Sequence, residues 1–217
     1  MANTDTQPRV HGVREGAGFL LDALRARPVV RLTLTGLSVL LAVIGVGMLA
    51  YPFATNLYSG HLQTKLAIEF ERPGIRQAYS EGELAIGDPM TRLKIPAIDV
   101  STVVVEGTTP SALRAGAGHY VNTPLPGEAG NVAIAGHRTT YGKPFADLDR
   151  LKPGDEVVLE TPIGNHTYRV SAEPFVVEAT DWSVISQTPA PTLTLTACHP
   201  KGSARQRIIV RAEHVPA

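Results

Sequence analysis

The only cysteine of the chain lies in the stretch Thr-Leu-Thr-Ala-Cys-His-Pro, at residues 194–200. Leu193, Leu195 and Ala197 alternate there with threonines and Cys198, and a β-strand directs alternate side chains to opposite faces. The thiol is therefore expected on the threonine face, away from the leucines. A structural cysteine usually shares the apolar face, so this pattern predicts an accessible thiol able to act as a nucleophile.

A nucleophilic cysteine needs a base or a cation nearby, because the thiol is mostly protonated at pH 7. Histidine is the usual partner, and the chain has seven. His137 follows the apolar run 131–135 and opens the loop Gly-His-Arg-Thr-Thr-Tyr-Gly, which is of the kind that presents side chains to a cleft. His119 is the alternative catalytic histidine, whereas His199 adjoins Cys198 and neighbours on a strand point apart.

Acyl transfer also needs a donor for the charge that develops on the carbonyl oxygen, and an arginine supplies one without losing its proton. We expect the last two strands to form a hairpin centred between Gly202 and Ser203. Cys198 and Arg207 are equally distant from that centre, so they are predicted to face each other at cross-strand distance.

A segment without charged residues, 32–53, lies N-terminal to all of these candidate catalytic residues. A helix of this length reaches ~33 Å, enough to cross a ~30 Å hydrocarbon core. Arginines cluster before it and Lys65 is the first cation after it, which predicts a single-pass anchor with the N-terminus in the cytoplasm. The predicted organisation is a cytoplasmic tail (1–31), an anchor (32–53), an extracytoplasmic linker with an N-terminal helix (54–89) and a β-rich extracytoplasmic domain (90–217).

The β-rich domain consists of short apolar runs separated by Pro, Gly, Asn and Asp, which is typical of an all-β barrel or sandwich. Eight strands are predicted, at 91–95, 100–106, 131–135, 156–161, 166–170, 175–178, 192–198 and 206–213.

The composition excludes some functions. Lys plus Arg and Asp plus Glu both number 20, and a chain without net charge lacks the basic field that nucleic-acid binding requires. A single cysteine allows no internal disulfide, which in an exported chain points to a reactive thiol or to intermolecular pairing. No cofactor or metal is predicted, because no cluster has metal-ligand spacing.

Taken together, the motifs at 92–96, 130–131, 135–141, 194–200 and 206–210 resemble those of the sortases. These are membrane-anchored cysteine transpeptidases of Gram-positive cell surfaces, and the chain is most similar to class E. The resemblance implies an eight-stranded β-barrel with short helices. It also implies that Cys198 is the nucleophile, His137 the catalytic histidine and Arg207 the catalytic arginine.

The sequence departs from the family at one position. The family usually reads Thr-Leu-x-Thr-Cys, and Ala197 stands where the second threonine is expected. Two outcomes remain open: weaker catalysis, or compensation by Thr196. Thr196 and Ala197 are therefore candidate substrate-binding residues. The class E resemblance implies a preference for Leu-Ala-x-Thr-Gly over Leu-Pro-x-Thr-Gly, with Tyr141 as the candidate for reading the alanine position.

The implied function is cleavage of a C-terminal sorting signal between Thr and Gly in exported proteins, followed by transfer to an amine of a lipid II-type peptidoglycan precursor. The absence of a second apolar span, and of an aromatic residue after Asp88-Pro89, favours housekeeping anchoring over pilin assembly. The rival hypotheses are a pilin-polymerising or hydrolytic sortase and a non-catalytic, membrane-tethered β-barrel that binds ligands.

Overall fold

A computed structural model describes residues 27–216, so most of the predicted tail 1–31 lies outside the described residues. The chain divides into two compact units, Met1–Ala50 and Tyr51–Ala217. The predicted boundaries of the anchor, linker and β-rich domain remain predictions.

The first helix, α1 (Pro28–Phe70), is long and apolar enough to cross a membrane, and none of its most apolar window is buried. Its later residues belong to the second unit and pack on a sheet. Leu66 is buried against Val103 and Val105, and the Phe70 ring lies 5.7 Å from the guanidinium carbon of Arg92. Two shorter helices are α2 (Pro73–Glu81) and α3 (Pro110–Ala115).

One sheet forms the body of the second unit. Its strands are β1 (Pro89–Ile95), β2 (Val100–Glu106), β3 (Ala117–His119), β4 (Asn131–Gly136), β5 (Glu156–Thr161), β6 (Gly164–Val170), β7 (Phe175–Glu178), β8 (Thr192–His199) and β9 (Gln206–Val215).

The sheet closes on itself in the order β6-β5-β1-β2-β3-β4-β8-β9, because β6 also pairs with β9. The ring therefore has eight strands, which confirms the predicted eight-stranded β-barrel. The ninth strand, β7, shares one edge of β9 with β6. It pairs with the segment from Gln206 to Ile209, whereas β6 pairs with the segment from Ala212 to Val215.

All eight predicted strands are present, and β3 is the one that the sequence pattern missed. Its three residues include Gly118 and follow Gly116, so the segment has little intrinsic strand preference. Pairing with β2 and β4 imposes the extended conformation. A side chain at Gly118 would clash with the carbonyl oxygen of Gly107, so glycine permits the close approach of these backbones.

The barrel core also supports the loop that follows β4. Phe145 is fully buried in the core, and a Cβ placed on Gly136 would lie 2.6 Å from its ring. The Phe145 amide donates a hydrogen bond to the carbonyl oxygen of His137 at 3.1 Å. The segment 137–145, here called the His137 loop, is therefore fixed to the barrel at both of its ends.

Replacement of Phe145 by alanine is expected to leave a cavity beneath this loop and to lower the free energy of unfolding by about 3 to 5 kcal/mol. Urea denaturation of the full chain in detergent measures this, with Trp182, the only tryptophan, as the fluorescent probe. Ile163→Ala is the control, because its side chain is exposed and should cost less than about 0.5 kcal/mol. Equal costs for the two variants would contradict this account of the core.

Candidate active site

Cys198 lies near the end of β8, and the two faces of this strand differ as its alternation predicts. Leu193, Leu195 and Ala197 belong to the barrel core, whereas Thr194, Thr196 and Cys198 point to the outer face. The two threonines are covered by other segments, but Cys198 is only half-buried and forms no disulfide. The thiol thus lies at the open end of a covered strip.

Arg207 faces Cys198 across the hairpin of β8 and β9, which confirms the predicted register. Ile208 and Val210 turn into the core, so Arg207 shares the outer face with the thiol. Its Nη1 donates hydrogen bonds to the carbonyl oxygens of Ala204 and Gln206, both at 2.9 Å. Both bonds use one nitrogen, and Arg207 as a residue is half-buried.

His137 is brought to the other side of Cys198 by the parallel pairing of β4 with β8. The last residue pair of these strands is Gly136 with Ala197, and His137 and Cys198 each follow by one residue. Val132 and Ile134 face the core, so alternation places His137 on the outer face. Adjacent strands lie about 4.8 Å apart, so His137, directly after the end of β4, forms one row with Cys198 on β8 and Arg207 on β9.

The environment of His137 favours the neutral imidazole. Burial lowers the pKa of His137 below its usual value, and the positive charge of Arg114 on α3 lowers it further. The imidazole also lies against the Tyr141 ring, with ring centroids 5.4 Å apart and planes tilted by 37°. Near pH 7 this histidine is therefore able to accept a proton and to return it.

Tyr141 itself lies between His137 and α1. Its hydroxyl is 3.2 Å from the hydroxyl of Tyr51, and its side chain is half-buried. A residue that touches the imidazole and remains partly open to solvent is well placed to meet a ligand at the site.

The other candidate substrate residues differ from each other. The Thr196 hydroxyl lies 3.2 Å from the Tyr120 hydroxyl, and Trp182 packs edge-on against the Tyr120 ring at 6.5 Å. The methyl group of Ala197 packs in the barrel core, with 3% of the residue exposed. Strand alternation thus turns this side chain away from the thiol.

His119 lies apart from the row and faces the barrel interior. Its Nδ1 is 2.9 Å from a carboxylate oxygen of Glu106, and its Nε2 is within hydrogen-bond distance of Thr123 and the Pro124 carbonyl. Both Glu106 and His119 are buried. The structure thus places the alternative histidine in a fully occupied network away from Cys198.

Arg138 is a residue of this region that the sequence patterns did not reveal. Its side chain is buried, bonds to Asp149 and the Ala146 carbonyl, and donates to Nδ1 of His199 at 3.2 Å. These contacts join the His137 loop to the end of β8 from the inner side. In the sequence, Arg138 is visible only as an arginine directly after His137. Its role becomes clear only from the residues that it contacts in the fold.

Asn131 belongs to the sequence motif at 130–131, but its structural role was not predicted, for a similar reason. It is buried at the start of β4, where its Oδ1 accepts a hydrogen bond from Thr194 at 2.8 Å. Its Nδ2 donates to the carbonyl oxygens of Val184 and Ser186, at 3.1 and 3.2 Å. Asn131 thereby fixes the segment that covers the outer face of β8.

Within residues 27–216 no group of three or more His, Cys, Asp or Glu side chains is arranged to hold a metal ion. The row instead combines a thiol, a half-buried imidazole and a permanent cation, which is an arrangement suited to thiol-dependent acyl transfer.

Comparison with known proteins agrees with this assignment. The model of the sortase domain matches residues 93–215, more than half of the chain, and the chain therefore belongs to the sortase family. Sortase SrtE1 of Streptomyces coelicolor is 32% identical over 60% of this chain and 42% of its own length. The chain spans 42 to 62% of the length of the curated relatives that it matches.

Two solved structures are also similar. Sortase E of Streptomyces avermitilis is 38% identical with a TM-score of 0.56, covering 61% of this chain and 91% of that one. Clostridium perfringens sortase C with the C-terminal cell wall sorting motif is 25% identical with a TM-score of 0.58, covering 66% and 85%. The likeness to the Streptomyces proteins supports class E.

The pKa of His137 is expected below 6.5 in an NMR titration of the folded chain, and Arg114→Ala should raise it without reaching 6.5, because burial is the larger cause. Between the folded-state pKa and 6.5 the unfolded state binds more protons, so this residue makes stability rise with pH in that window. Arg76→Ala is the control, since Arg76 is not among the charges that act on His137. A His137 pKa at or above 6.5 would contradict the conclusion that burial favours the neutral imidazole.

Proposed function

We propose that the chain is a membrane-anchored class E sortase that cleaves a C-terminal sorting signal between Thr and Gly and transfers the protein to an amine of the cell wall. The observation that carries the proposal is the row formed by His137, directly after β4, Cys198 on β8 and Arg207 on β9. Family membership supports the same chemistry.

In the first half-reaction, the Cys198 thiolate attacks the carbonyl carbon of the Thr-Gly bond, and negative charge develops on the carbonyl oxygen. Arg207 stabilises that oxyanion, because Nε and Nη2 of its guanidinium make no hydrogen bond within residues 27–216. His137, which has taken the proton of the Cys198 thiol to form the thiolate, donates that proton to the glycine nitrogen as the C–N bond breaks. The products are a thioester on Cys198 and a free glycine amine.

In the second half-reaction, His137 removes a proton from the incoming amine, which attacks the thioester carbon. The thiolate leaves, and a new amide bond joins the protein to the acceptor. The lowered pKa of His137 suits this step, since the imidazole must be neutral to act as a base. A lipid II-type peptidoglycan precursor is the proposed acceptor.

The substrate class is proposed to be Leu-Ala-x-Thr-Gly signals. The related sortase C structure with the C-terminal cell wall sorting motif supports a sorting-signal peptide as the ligand. Tyr141, which packs against His137, is proposed to contact the alanine side chain of the signal. Thr196, on the same face of β8 as Cys198, is proposed to line the peptide-binding surface beside the thiol. Residues 32–53 of α1 are the proposed anchor, with the cytoplasmic side at the arginine-rich N-terminal end.

Replacement of the three residues of the row tests the proposal. Cys198→Ala should abolish transfer from a Leu-Ala-x-Thr-Gly peptide to an amine, while His137→Gln and Arg207→Gln should lower kcat/KM by about 10²-fold or more. His166→Gln and Arg211→Gln are matched controls, because His166 is on β6 and Arg211 is four residue pairs further along β9. Mass spectrometry of the products separates transfer from hydrolysis.

Two results would contradict the proposal. Unchanged turnover by Cys198→Ala would eliminate the thiol mechanism. A Cys198 that does not react with a thiol-directed substrate mimic would leave only a binding function for the barrel.

Specificity is tested with paired Leu-Ala and Leu-Pro peptides. The wild-type chain is expected to prefer the Leu-Ala peptide, and Tyr141→Ala should reduce that preference by several-fold, since contact with a small apolar group is worth about 1 to 3 kcal/mol. Tyr141→Phe should keep the preference, because it retains the ring and loses only the hydroxyl contact with Tyr51. An unchanged preference in Tyr141→Ala would assign the alanine position to another residue.

A further inference from the structure

The tip of the His137 loop has an unfavourable backbone conformation. Tyr141, Gly142 and Lys143 are consecutive and have φ angles of 52°, 74° and 41°. Residues with a Cβ seldom adopt this left-handed region, and such strain persists only where the surrounding structure imposes it. The contacts that hold the tip are therefore informative about its function.

The barrel does not hold the tip. A cavity of about 320 Å³ is lined by the tip, by α1 and by the turn between β1 and β2. The contacts of the barrel with the His137 loop are instead made at its ends, through Phe145 and Arg138. Within the loop, the Lys143 amide donates a hydrogen bond to the carbonyl oxygen of Thr140 at 3.0 Å, and further support for Tyr141 and Gly142 comes from outside the loop.

That support comes from α1. The side-chain oxygen of Asn56 accepts a hydrogen bond from the Gly142 amide at 3.0 Å, and the Tyr51 hydroxyl lies 3.2 Å from that of Tyr141. Ser59 fits against Gly142 so closely that an added Cβ would lie 2.9 Å from its hydroxyl oxygen.

This part of α1 is itself fixed to the barrel. The Gln63 amide nitrogen donates to the carbonyl oxygens of Val103 and Ala115, at 3.0 and 2.8 Å, and its oxygen accepts from the Val103 amide at 2.7 Å. The side chain of Asn56 is thus presented to the tip from a helical turn with a defined position. Because the Tyr141 ring packs on the imidazole, the position of the tip bears directly on His137.

We propose that Asn56 is a positioning residue for catalysis: it holds the strained tip of the His137 loop so that Tyr141 stays packed on the imidazole and keeps it oriented and partly dehydrated. This inference rests on the proposed role of His137. The part of α1 that begins at Tyr51 would then contribute to the active site.

Asn56→Ala in the full chain, measured in detergent, should lower kcat for amine transfer about fivefold to tenfold and change KM less than twofold, since the contact bears on His137 rather than on peptide binding. Asn56→Asp should restore most of the rate, because a carboxylate oxygen also accepts from the Gly142 amide. Thr64→Ala is the matched control, an exposed residue of the same helix that bonds only to Gly60. A rate in Asn56→Ala equal to wild type would overturn the inference.

A second readout does not depend on transfer activity. Loosening of the tip hydrates the imidazole, so Asn56→Ala should raise the NMR-measured pKa of His137 toward 6.5, because burial is the main cause of its lowering. The positive charge of Arg114 also lowers the pKa of His137, but by less than burial does. An unchanged titration overturns the inference even if the chain proves inactive, whereas loss of transfer by wild type would overturn only the proposed function.

A double-mutant cycle separates positioning from general damage. Gly142→Ala disrupts the contact between Asn56 and the tip from the loop side. Its added methyl group clashes with Ser59, and the φ angle at this position is unfavourable for alanine. If Asn56 acts through the tip, the double variant should lose no more activity than the worse single variant. Losses that multiply would show that Asn56 acts independently of the tip and would overturn the inference.

Discussion

The hydrogen-bonded register of β4, β8 and β9 is the constraint on which the site depends. Two pairings, one parallel and one antiparallel, flank Cys198 with His137 and Arg207. None of the three side chains needs a contact with the other two to find its place, because the backbone ladder sets their spacing. A slip of one residue would turn the side chains of the slipped strand to the opposite face. The core residues Leu193 and Leu195 oppose such a slip in β8, because their burial depends on the same register.

The two faces of β8 therefore serve different purposes. The leucine face supplies apolar burial that holds the strand in the barrel. The threonine face is covered by a separate segment, fixed by Asn131 and by the contact between Tyr120 and Trp182. The thiol emerges where this cover ends, which explains how a half-buried cysteine lies beside nearly inaccessible threonines. Ala197 belongs to the first face, so its difference from the usual family sequence is a matter of core packing.

Local sequence patterns were sufficient to predict part of the active-site arrangement. The alternation in β8 predicted the face of Cys198, and the symmetry of a hairpin predicted its pairing with Arg207, since both depend on residues close in sequence. His137 is different, because β4 and β8 are far apart in sequence and their parallel pairing leaves no local signal. For that residue the sequence pattern left His119 as an alternative, and resemblance to a family favoured His137. The strand β3, the buried Arg138 and the support from α1 depend on tertiary contacts, which is why sequence patterns did not reveal them.

The shared edge of β9 has a consequence for motion. Four residue pairs attach β7 to the half of β9 that carries Arg207, and the eight-stranded ring is closed without them by β6. Detachment of β7 and of the segment that follows it would expose the covered face of β8 while the barrel remained intact. Such an opening is local unfolding, whose free energy is smaller than that of the whole fold. The half of β9 that carries Arg207 therefore lies beside the edge at which such an opening would begin.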